Sequence, residues 1–307
     1  MEEIKTLDIE DYPYLLCQIH RLPKSMEIIG KLPPETYKYL CVVGSRSHSE
    51  YGQKVCEQLI AGLAGYPIVI VSGLAKGIDS IAHASAIDAG LKTVAFPGSG
   101  LAPHVIYPQS NKPLAERIVA SGGALLSPFK REQGADVWTF PTRNTLMAGI
   151  SHATLVIEGR EKSGTWSTIE AALSFGRDLF IVPGSIFSDL SAKPLEMLKE
   201  GARPVTSSRD IIEALGLNLG AQTRDLFESD EAKARLSTDE KILIEKIMQA
   251  PISRDNIIRD MAMPVGYVTS ILMELELKGL IVERGGVLYG CNTNIQIHAN
   301  DTKNANE

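Results

Sequence analysis

Three segments rich in glycine and hydroxyl residues, two of which also carry a basic side chain, have the composition of phosphate-binding loops. They read VGSRSHS at 43–49, SGLAKGID at 72–79 and SGTWST at 163–168. Glycine lets backbone N–H groups approach a ligand closely, and the start of a helix aims its amides and its positive dipole end at anions. The guanidinium of Arg46 can bind phosphate with two hydrogen bonds, and Ser45 and Ser47 add hydroxyls. We expect Ser163, Gly164 and Thr165 to form an anion site at a helix start.

A fourth segment, FPTRNTLMAG at 140–149, brings an arginine and an amide together. We expect Arg143 and Asn144 to stand at the start of a short helix and to contact a phosphate and a base edge. Each of these segments also has a purely structural interpretation. Glycine turns join strands to helices in many folds, Ser167 or Thr168 can simply cap a helix, and single arginines commonly pair with surface carboxylates.

The elements that position these segments alternate between short apolar runs and amphipathic stretches of helical length. The runs are those of strands buried on both faces, which predicts a doubly wound, mostly parallel Rossmann-like sheet covered by helices. The predicted strands lie at 40–43, 68–71, 93–96, 124–126, 155–157 and 179–182, and helices are expected at 52–63, 78–89, 112–120, 167–175 and 193–199.

A smaller domain follows the predicted sheet. Helix signals at Ser237, Ser253 and Pro264 precede apolar positions with helical spacing, and residues 280–289 alternate around two glycines as in a hairpin. Three helices and a hairpin predict a winged helix. The domain organisation expected is a short N-terminal extension at 1–38, a Rossmann-like domain at 39–215, a linker at 216–235, the winged helix at 236–291 and a flexible tail at 292–307.

Composition restricts the function classes. Lys and Arg total 31 against 37 Asp and Glu, a net charge of -6, so polyanion binding must depend on local groups rather than on bulk charge. No apolar stretch is long enough to cross a membrane, and the N-terminus lacks a secretory pattern, so we expect a cytoplasmic protein with no membrane partner. The four cysteines are scattered and the six histidines do not cluster, which predicts neither disulfides, nor a metal, nor a cofactor.

The ordered set of motifs resembles the DNA processing protein A (DprA, also Smf) family. The set comprises residues 44–46, 72–79, 107–108, 140–144, 163–165 and 182–184, and the resemblance extends over about 12–289. It implies a non-catalytic protein that binds single-stranded DNA through the Rossmann-like domain, helps to load a RecA-type recombinase in natural transformation or related DNA recombination, and forms a homodimer. The phosphate-contacting residues that it implies are Ser45, Arg46, Gly73, Lys76, Gly77, Arg143 and Asn144.

This chain departs from the family pattern at several positions. The family usually has arginine where Lys76 and Thr145 stand, Ser127-Pro128-Phe129 replaces a motif with glutamate, and the helical N-terminal domain of many members is missing. We expect these departures to alter DNA affinity. For base stacking, Phe129 and Trp138 are the aromatic residues suggested by their places near the loops.

Other functions remain open from the sequence. A related Rossmann-type group contains nucleotide phosphoribohydrolases, whose catalytic glutamate would stand where this chain has Thr168, and a nucleotide-sensing protein would need a similar pocket. Glu158 and Asp79 are carboxylates at strand or helix ends, where they more commonly support loops. A dinucleotide-dependent oxidoreductase or an ATPase is disfavoured because the first loop lacks GxGxxG and no Walker lysine motif occurs. The winged helix contacts either protein or duplex DNA, and Glu274 and Glu276 on its third helix favour protein.

Overall fold

The computed structural model describes residues 3–20, 22–161, 163–217, 237–249, 252–261, 263–277, 281–284 and 287–290. The chain divides into two compact units, Met1–Leu219 and Gly220–Glu307. Most of the predicted linker and the whole predicted tail at 292–307 lie outside the described residues. The exact domain limits therefore stay a prediction.

A nine-stranded sheet organises the first unit, in the order β1-β2-β6-β5-β4-β3-β7-β8-β9. The seven strands from β6 to β9 in this order are parallel, and β1 and β2 pair antiparallel at one side. This confirms the doubly wound, mostly parallel class. The strands are β1 Lys5–Asp8, β2 Ser25–Gly30, β3 Lys38–Val43, β4 Ile68–Ser72, β5 Lys92–Ala95, β6 Ala124–Ser127, β7 Ala153–Val156, β8 Asp178–Ile181 and β9 Arg203–Pro204.

The expectation that no strand precedes residue 39 is wrong. Strands β1 and β2 lie in this segment, and β2 pairs with β6, so Ile28 lies opposite Leu126. Strand β1 is an outer strand with mostly exposed side chains, and its sequence therefore lacks the apolar run from which strands were predicted. The short segment thus extends the sheet.

Eight α-helices among the described residues of the first unit cover the two faces of the sheet. Alternate residues of β3 point to opposite faces, so Tyr39 and Cys41 pack in one core and Leu40 and Val42 in the other. Helices α1, α5, α6 and α7 cover the first face, and α2, α3, α4 and α8 the second. The helices are α1 Tyr14–Cys17, α2 Glu50–Ala61, α3 Ile78–Asp88, α4 Lys112–Ala120, α5 Thr139–Ile150, α6 Thr165–Ser174, α7 Ala192–Lys199 and α8 Ser208–Ala214.

The second unit has the arrangement of a winged helix. Helices α9 Thr238–Gln249, α10 Arg254–Asp260 and α11 Val265–Leu277 pack around a common apolar core. Strands β11 Ile281–Arg284 and β12 Val287–Gly290 form the predicted hairpin, and β10 Ile252–Ser253 pairs with β12. Ser253 caps α10 by accepting a hydrogen bond from the Asn256 amide at 3.3 Å, as the sequence predicted.

Candidate nucleic-acid interface

The candidate interface lies where the strand order of the sheet reverses. From β3 the chain builds the sheet outward through β4 and β5 to β6, and it then returns to pair β7 with the other side of β3. In open α/β sheets ligands bind at such a reversal, in the crevice outside the carboxyl ends of the strands. The predicted loops after β3, β4 and β7 meet at this edge. We call them the β3 loop (44–49), the β4 loop (73–77) and the β7 loop (157–164).

A cleft of about 450 Å³ opens between these loops and α5. A neighbouring cavity of about 220 Å³ adjoins it. Arg46, Phe140 and Arg143 line both cavities, so these residues form the boundary between them. The cleft is concave and is not filled by side chains. It is further lined by Gly44, Ser45, Ser47, Ala75, Asp79, Val137, Asn144, Arg160, Ser163, Gly164, Thr165, Ser167 and Thr168, among others.

Two basic side chains predicted from the sequence, Arg46 and Lys76, lie at the cleft rim. Both are exposed, and Lys76 lines the smaller cavity together with Tyr107. The guanidinium carbon of Arg46 lies 5.1 Å from the centroid of the Phe140 ring. In the same loop the Ser47 amide donates to Ser45 Oγ at 3.1 Å. The structure therefore places exposed donors at the positions where the sequence predicts phosphate contacts.

The β3 and β4 loops are fitted closely to each other. The Ile78 amide donates to Ser45 O at 3.2 Å, and a Cβ on Gly44 would overlap the Ile78 side chain. Gly77 has φ +81°, in the left-handed region, and a Cβ there would meet Ser45 O. Glycine is therefore required at both positions, which explains the composition of the two loops.

The predicted role of Gly73 as a free amide donor is not what the structure shows. The Gly73 amide donates to Asp79 Oδ2 at 3.1 Å, and the Ala75 amide approaches the same oxygen at 3.4 Å. The carbonyl of Gly73 accepts from Arg143 Nη1. The amide and the carbonyl of Gly73 are therefore both held by buried side chains within the protein.

Arg143 and Asn144 do not stand at a helix start. Helix α5 begins at Thr139, and both side chains are buried in its second turn. Arg143 Nη1 also donates to Phe96 O at 2.7 Å, and Asn144 Nδ2 donates to Gly164 O at 3.0 Å. The two residues thus connect α5 to the loops that surround the cleft. The sequence could not indicate this because the helix lacks a strong N-cap residue.

Glu158 supports the β3 loop. Its two carboxylate oxygens accept hydrogen bonds from the amide of Ser49 at 2.7 Å and from its hydroxyl at 2.6 Å. Ser49 in turn caps α2 by accepting from the Gly52 amide at 3.0 Å. The supporting role that the sequence favoured for this carboxylate agrees with these contacts.

The third predicted segment lines the cleft beside α6. Thr165 Oγ1 donates to Gly44 O at 3.3 Å, which links the first residue of α6 to the β3 loop. Ser163 and Gly164 line the cleft as well. Ser167 donates its hydroxyl to Gly164 O at 2.9 Å and makes no capping contact.

The two aromatic residues suggested by sequence for base stacking differ in exposure. Trp138 is 53% exposed, but Phe129 is only 5% exposed and packs edge-on against it with ring centroids 5.5 Å apart. The Phe129 ring is therefore inaccessible to a base. Tyr107 and Phe140, with centroids 5.8 Å apart, lie at the smaller cavity. Both residues belong to motifs of the family resemblance, but no role was predicted for their rings. Nothing in the sequence indicated Arg160, because only the position of the β7 loop places it at the cleft.

Burial controls the ionisable groups beneath the cleft. It raises the pKa of Asp79 above its usual value, although the positive charge of Arg143 opposes this shift. Burial also lowers the pKa of His83 to about 3. His83 Nδ1 lies 2.7 Å from Thr93 Oγ1, and the Thr93 hydroxyl itself donates to Ile70 O at 2.8 Å.

Two further features are absent from the residues that the structure describes. No group of three or more His, Cys, Asp or Glu side chains among them is placed to hold a metal ion. None of the helices described has the length and apolar character of a membrane span.

Comparisons with known proteins agree over both units. The family model of DNA recombination-mediator protein A matches residues 3–216, and that of the DprA winged helix domain matches 227–286. The chain is 33% identical over 278 residues to Protein Smf of Escherichia coli (strain K12), across 89% of this chain and 73% of that protein. It is 39% identical over 201 residues to DNA processing protein DprA of Streptococcus pneumoniae, across 66% of this chain and 70% of that protein.

Solved structures show the same fold. The X-ray structure of DprA from Streptococcus pneumoniae aligns with a TM-score of 0.64 and 37% identity, across 69% of this chain and 74% of that chain. DNA processing protein A from Helicobacter pylori aligns with a TM-score of 0.61 and 24% identity, across 70% of this chain and 96% of that chain. With the motif set in order on one sheet edge and both family models matched, the chain belongs to the DNA processing protein A (DprA/Smf) family.

Proposed function

We propose that the chain binds single-stranded DNA in the cleft at the carboxyl edge of the sheet. The observation that carries the proposal is the open concave cleft with Arg46 and Lys76 exposed at its rim. The Helicobacter pylori relative is described by its single-stranded DNA binding mode, which supports the same ligand class. Local cations and loop hydroxyls hold the phosphates, so binding is compatible with a net charge of -6.

Aromatic rings near the cleft favour a single strand over a duplex. Trp138 and Tyr107 are exposed, and Phe140 lies between the two cavities. Unpaired bases can stack on such rings without regard to sequence, whereas the bases of a duplex are already stacked on each other. Binding is therefore sequence-tolerant.

The chain acts by binding rather than by catalysis. Among the described residues that line the cleft, Asp79 supplies the one carboxylate, and its Oδ2 is occupied by the Gly73 amide. Glu158 holds Ser49 with both oxygens. Thr168 stands where a phosphoribohydrolase-like enzyme would need glutamate. Release of free base from nucleoside monophosphates at a catalytic rate would contradict this part of the proposal.

The winged helix contacts protein rather than duplex DNA. Helix α11 contains no Lys or Arg, Glu274 on it is exposed, and Glu276 pairs with Arg254 at 2.9 Å. A helix that enters the major groove normally presents basic or amide side chains. The cytoplasmic chain forms a homodimer and helps to load a RecA-type recombinase on the bound strand, as the family name of a recombination mediator suggests.

The test is an anisotropy titration of the full chain with labelled single-stranded and duplex oligonucleotides of equal length over a range of salt concentrations. We expect single strands to bind more tightly, with an affinity that falls as salt rises. Equal affinity for both forms, or none for either, would overturn the proposed function. Light scattering of the same sample tests the dimer.

A further inference from the structure

The segment between β8 and α7 exposes two large apolar side chains. In this segment, residues 182–191, which we call the β8 loop, Phe187 is 93% exposed and Ile186 is 80% exposed. The ring of Tyr51 on α2, 50% exposed, belongs to the same surface because its hydroxyl donates to Pro183 O at 2.6 Å. Adjacent exposed apolar residues of this size mark a binding surface more commonly than single ones do.

The β8 loop is held in place by hydrogen bonds. The Phe187 amide donates to Ser185 Oγ at 3.2 Å, and the Ser188 amide donates to Ser185 O at 3.1 Å, which closes a turn around residues 186 and 187. At its far end the carbonyl of Leu190 accepts from the Gly159 amide at 2.8 Å. The turn therefore presents the Phe187 ring to solvent from a fixed backbone.

This surface lies at the same edge of the sheet as the cleft. Strand β8 pairs with β7, and β7 pairs with β3, all parallel, so their carboxyl ends share one edge. Neighbouring strands lie about 4.8 Å apart, which places the end of β8 about 10 Å from the end of β3. At the 3.4 Å that each nucleotide spans in a duplex strand, about three nucleotides cover this distance. Arg160, next to the tethered Gly159, lines the cleft on this side.

We propose that the β8 loop is a second contact for the strand held in the cleft, at which a base leaving the cleft stacks on Phe187. Ile186 and Tyr51 flank the base, and Arg160 bridges the two contacts by binding a phosphate between them. The inference rests on the proposed function and assigns to the same ligand a longer path along the sheet edge. An exposed aromatic ring beside a basic group is the combination that single-strand binders use.

The first test compares Phe187→Ala with Tyr14→Ala in the full chain. Tyr14, 69% exposed, is an aromatic residue at the opposite, amino-terminal ends of the strands. Its amide donates to Glu35 just before β3, and the neighbouring Leu15 carbonyl accepts from Arg177 just before β8. For an oligothymidylate of about 20 nucleotides we expect Phe187→Ala to weaken binding about fivefold or more and Tyr14→Ala to leave it unchanged. Equal affinities in both variants and the wild type would overturn the inference.

The second test uses Phe187→Trp as a fluorescent reporter on the same surface. Titration with the oligothymidylate should quench the added emission, relative to the wild type with Trp138 and Trp166, because the base stacks on the new ring. Absence of this added quenching while the cleft still binds DNA refutes the β8 loop contact. If the Phe187→Ala variant has a different oligomeric mass from the wild type, the inference is also refuted, because the surface then serves self-association. Failure of the wild type to bind any single strand refutes the proposed function instead.

Discussion

The rim and the floor of the cleft use the same residue types differently. We define the rim as Arg46 and Lys76, which are exposed, and the floor as Asp79, Arg143 and Glu158, which are buried. Two arginines approach the Phe140 ring, Arg46 at 5.1 Å and Arg143 at 5.9 Å. Only Arg46 is accessible to a ligand, whereas Arg143 is committed to backbone carbonyls. Burial, rather than residue type, therefore decides whether an arginine can contact DNA or supports the loops.

The strongest challenge to this comparison is Arg143→Ala. The substitution leaves the carbonyls of Gly73 and Phe96 without their donor and Asp79 without its opposing charge. Removing one member of a buried charged set typically costs about 3–5 kcal/mol, so we expect the free energy of unfolding to fall by that amount. Urea denaturation measures it. The matched Arg143→Lys keeps the charge and should lose less, and a loss below about 1 kcal/mol for Arg143→Ala would place Arg143 with the rim.

Acid should destabilise the protein through His83, which is buried beneath the cleft. The pKa of His83 is lowered to about 3 by burial, while the unfolded chain binds this proton near pH 6.5. Between these values only the unfolded state takes up the proton. The contribution of neutral His83 to the free energy of unfolding is therefore fully present above about pH 6.5. Between about pH 6.5 and pH 3 it falls by about 1.4 kcal/mol for each pH unit.

His83→Gln provides the control for this pH dependence, because it removes the titrating group at the same position. The free energy of unfolding of the variant should decline less steeply with acid over this range than that of the wild type. Parallel declines in the two proteins would show that His83 is not the group that couples the floor to pH.

The contribution of the rim residues to DNA binding should depend on salt, whereas the floor residues should not affect this dependence. Arg46→Ala and Lys76→Ala are each expected to weaken binding to a single strand about tenfold, since each removes a charge-assisted contact. Each should also reduce the slope of log affinity against log salt by about 0.7. Arg117→Ala is the matched control, because this exposed arginine pairs with Asp88 at the end of α3, away from the cleft. An unchanged slope in both rim variants would remove the distinction between rim and floor.

The sequence predicted the elements better than it predicted the partners of individual side chains. Strands β3 to β8 were found from apolar runs, and Gly44 and Gly77 mark the two loops because their close approach excludes a Cβ. The order of the strands was not predictable, since it depends on contacts between distant segments. The buried state of Arg143 was missed for the same reason, because its partners Gly73 and Phe96 lie 70 and 47 residues away. Ile242 on α9, one of the apolar positions with helical spacing that follow Ser237, is exposed instead of joining the core.

The aromatic pair of Trp138 and Phe129 extends the comparison to uncharged residues, with the smallest expected effect. Trp138 is on the exposed side of the pair and Phe129 on the buried side. Trp138→Leu removes a ring on which a base can stack, so single-strand affinity should fall about fivefold with little change in the salt slope. Phe129→Leu removes the buried ring of the same pair. It should lower the free energy of unfolding, while the affinity for single strands stays that of the wild type. Equal losses of affinity in both variants would mean that the pair acts only by positioning the start of α5. A loss confined to Trp138→Leu would show that exposure decides which aromatic ring contacts the DNA, as it does for the two arginines.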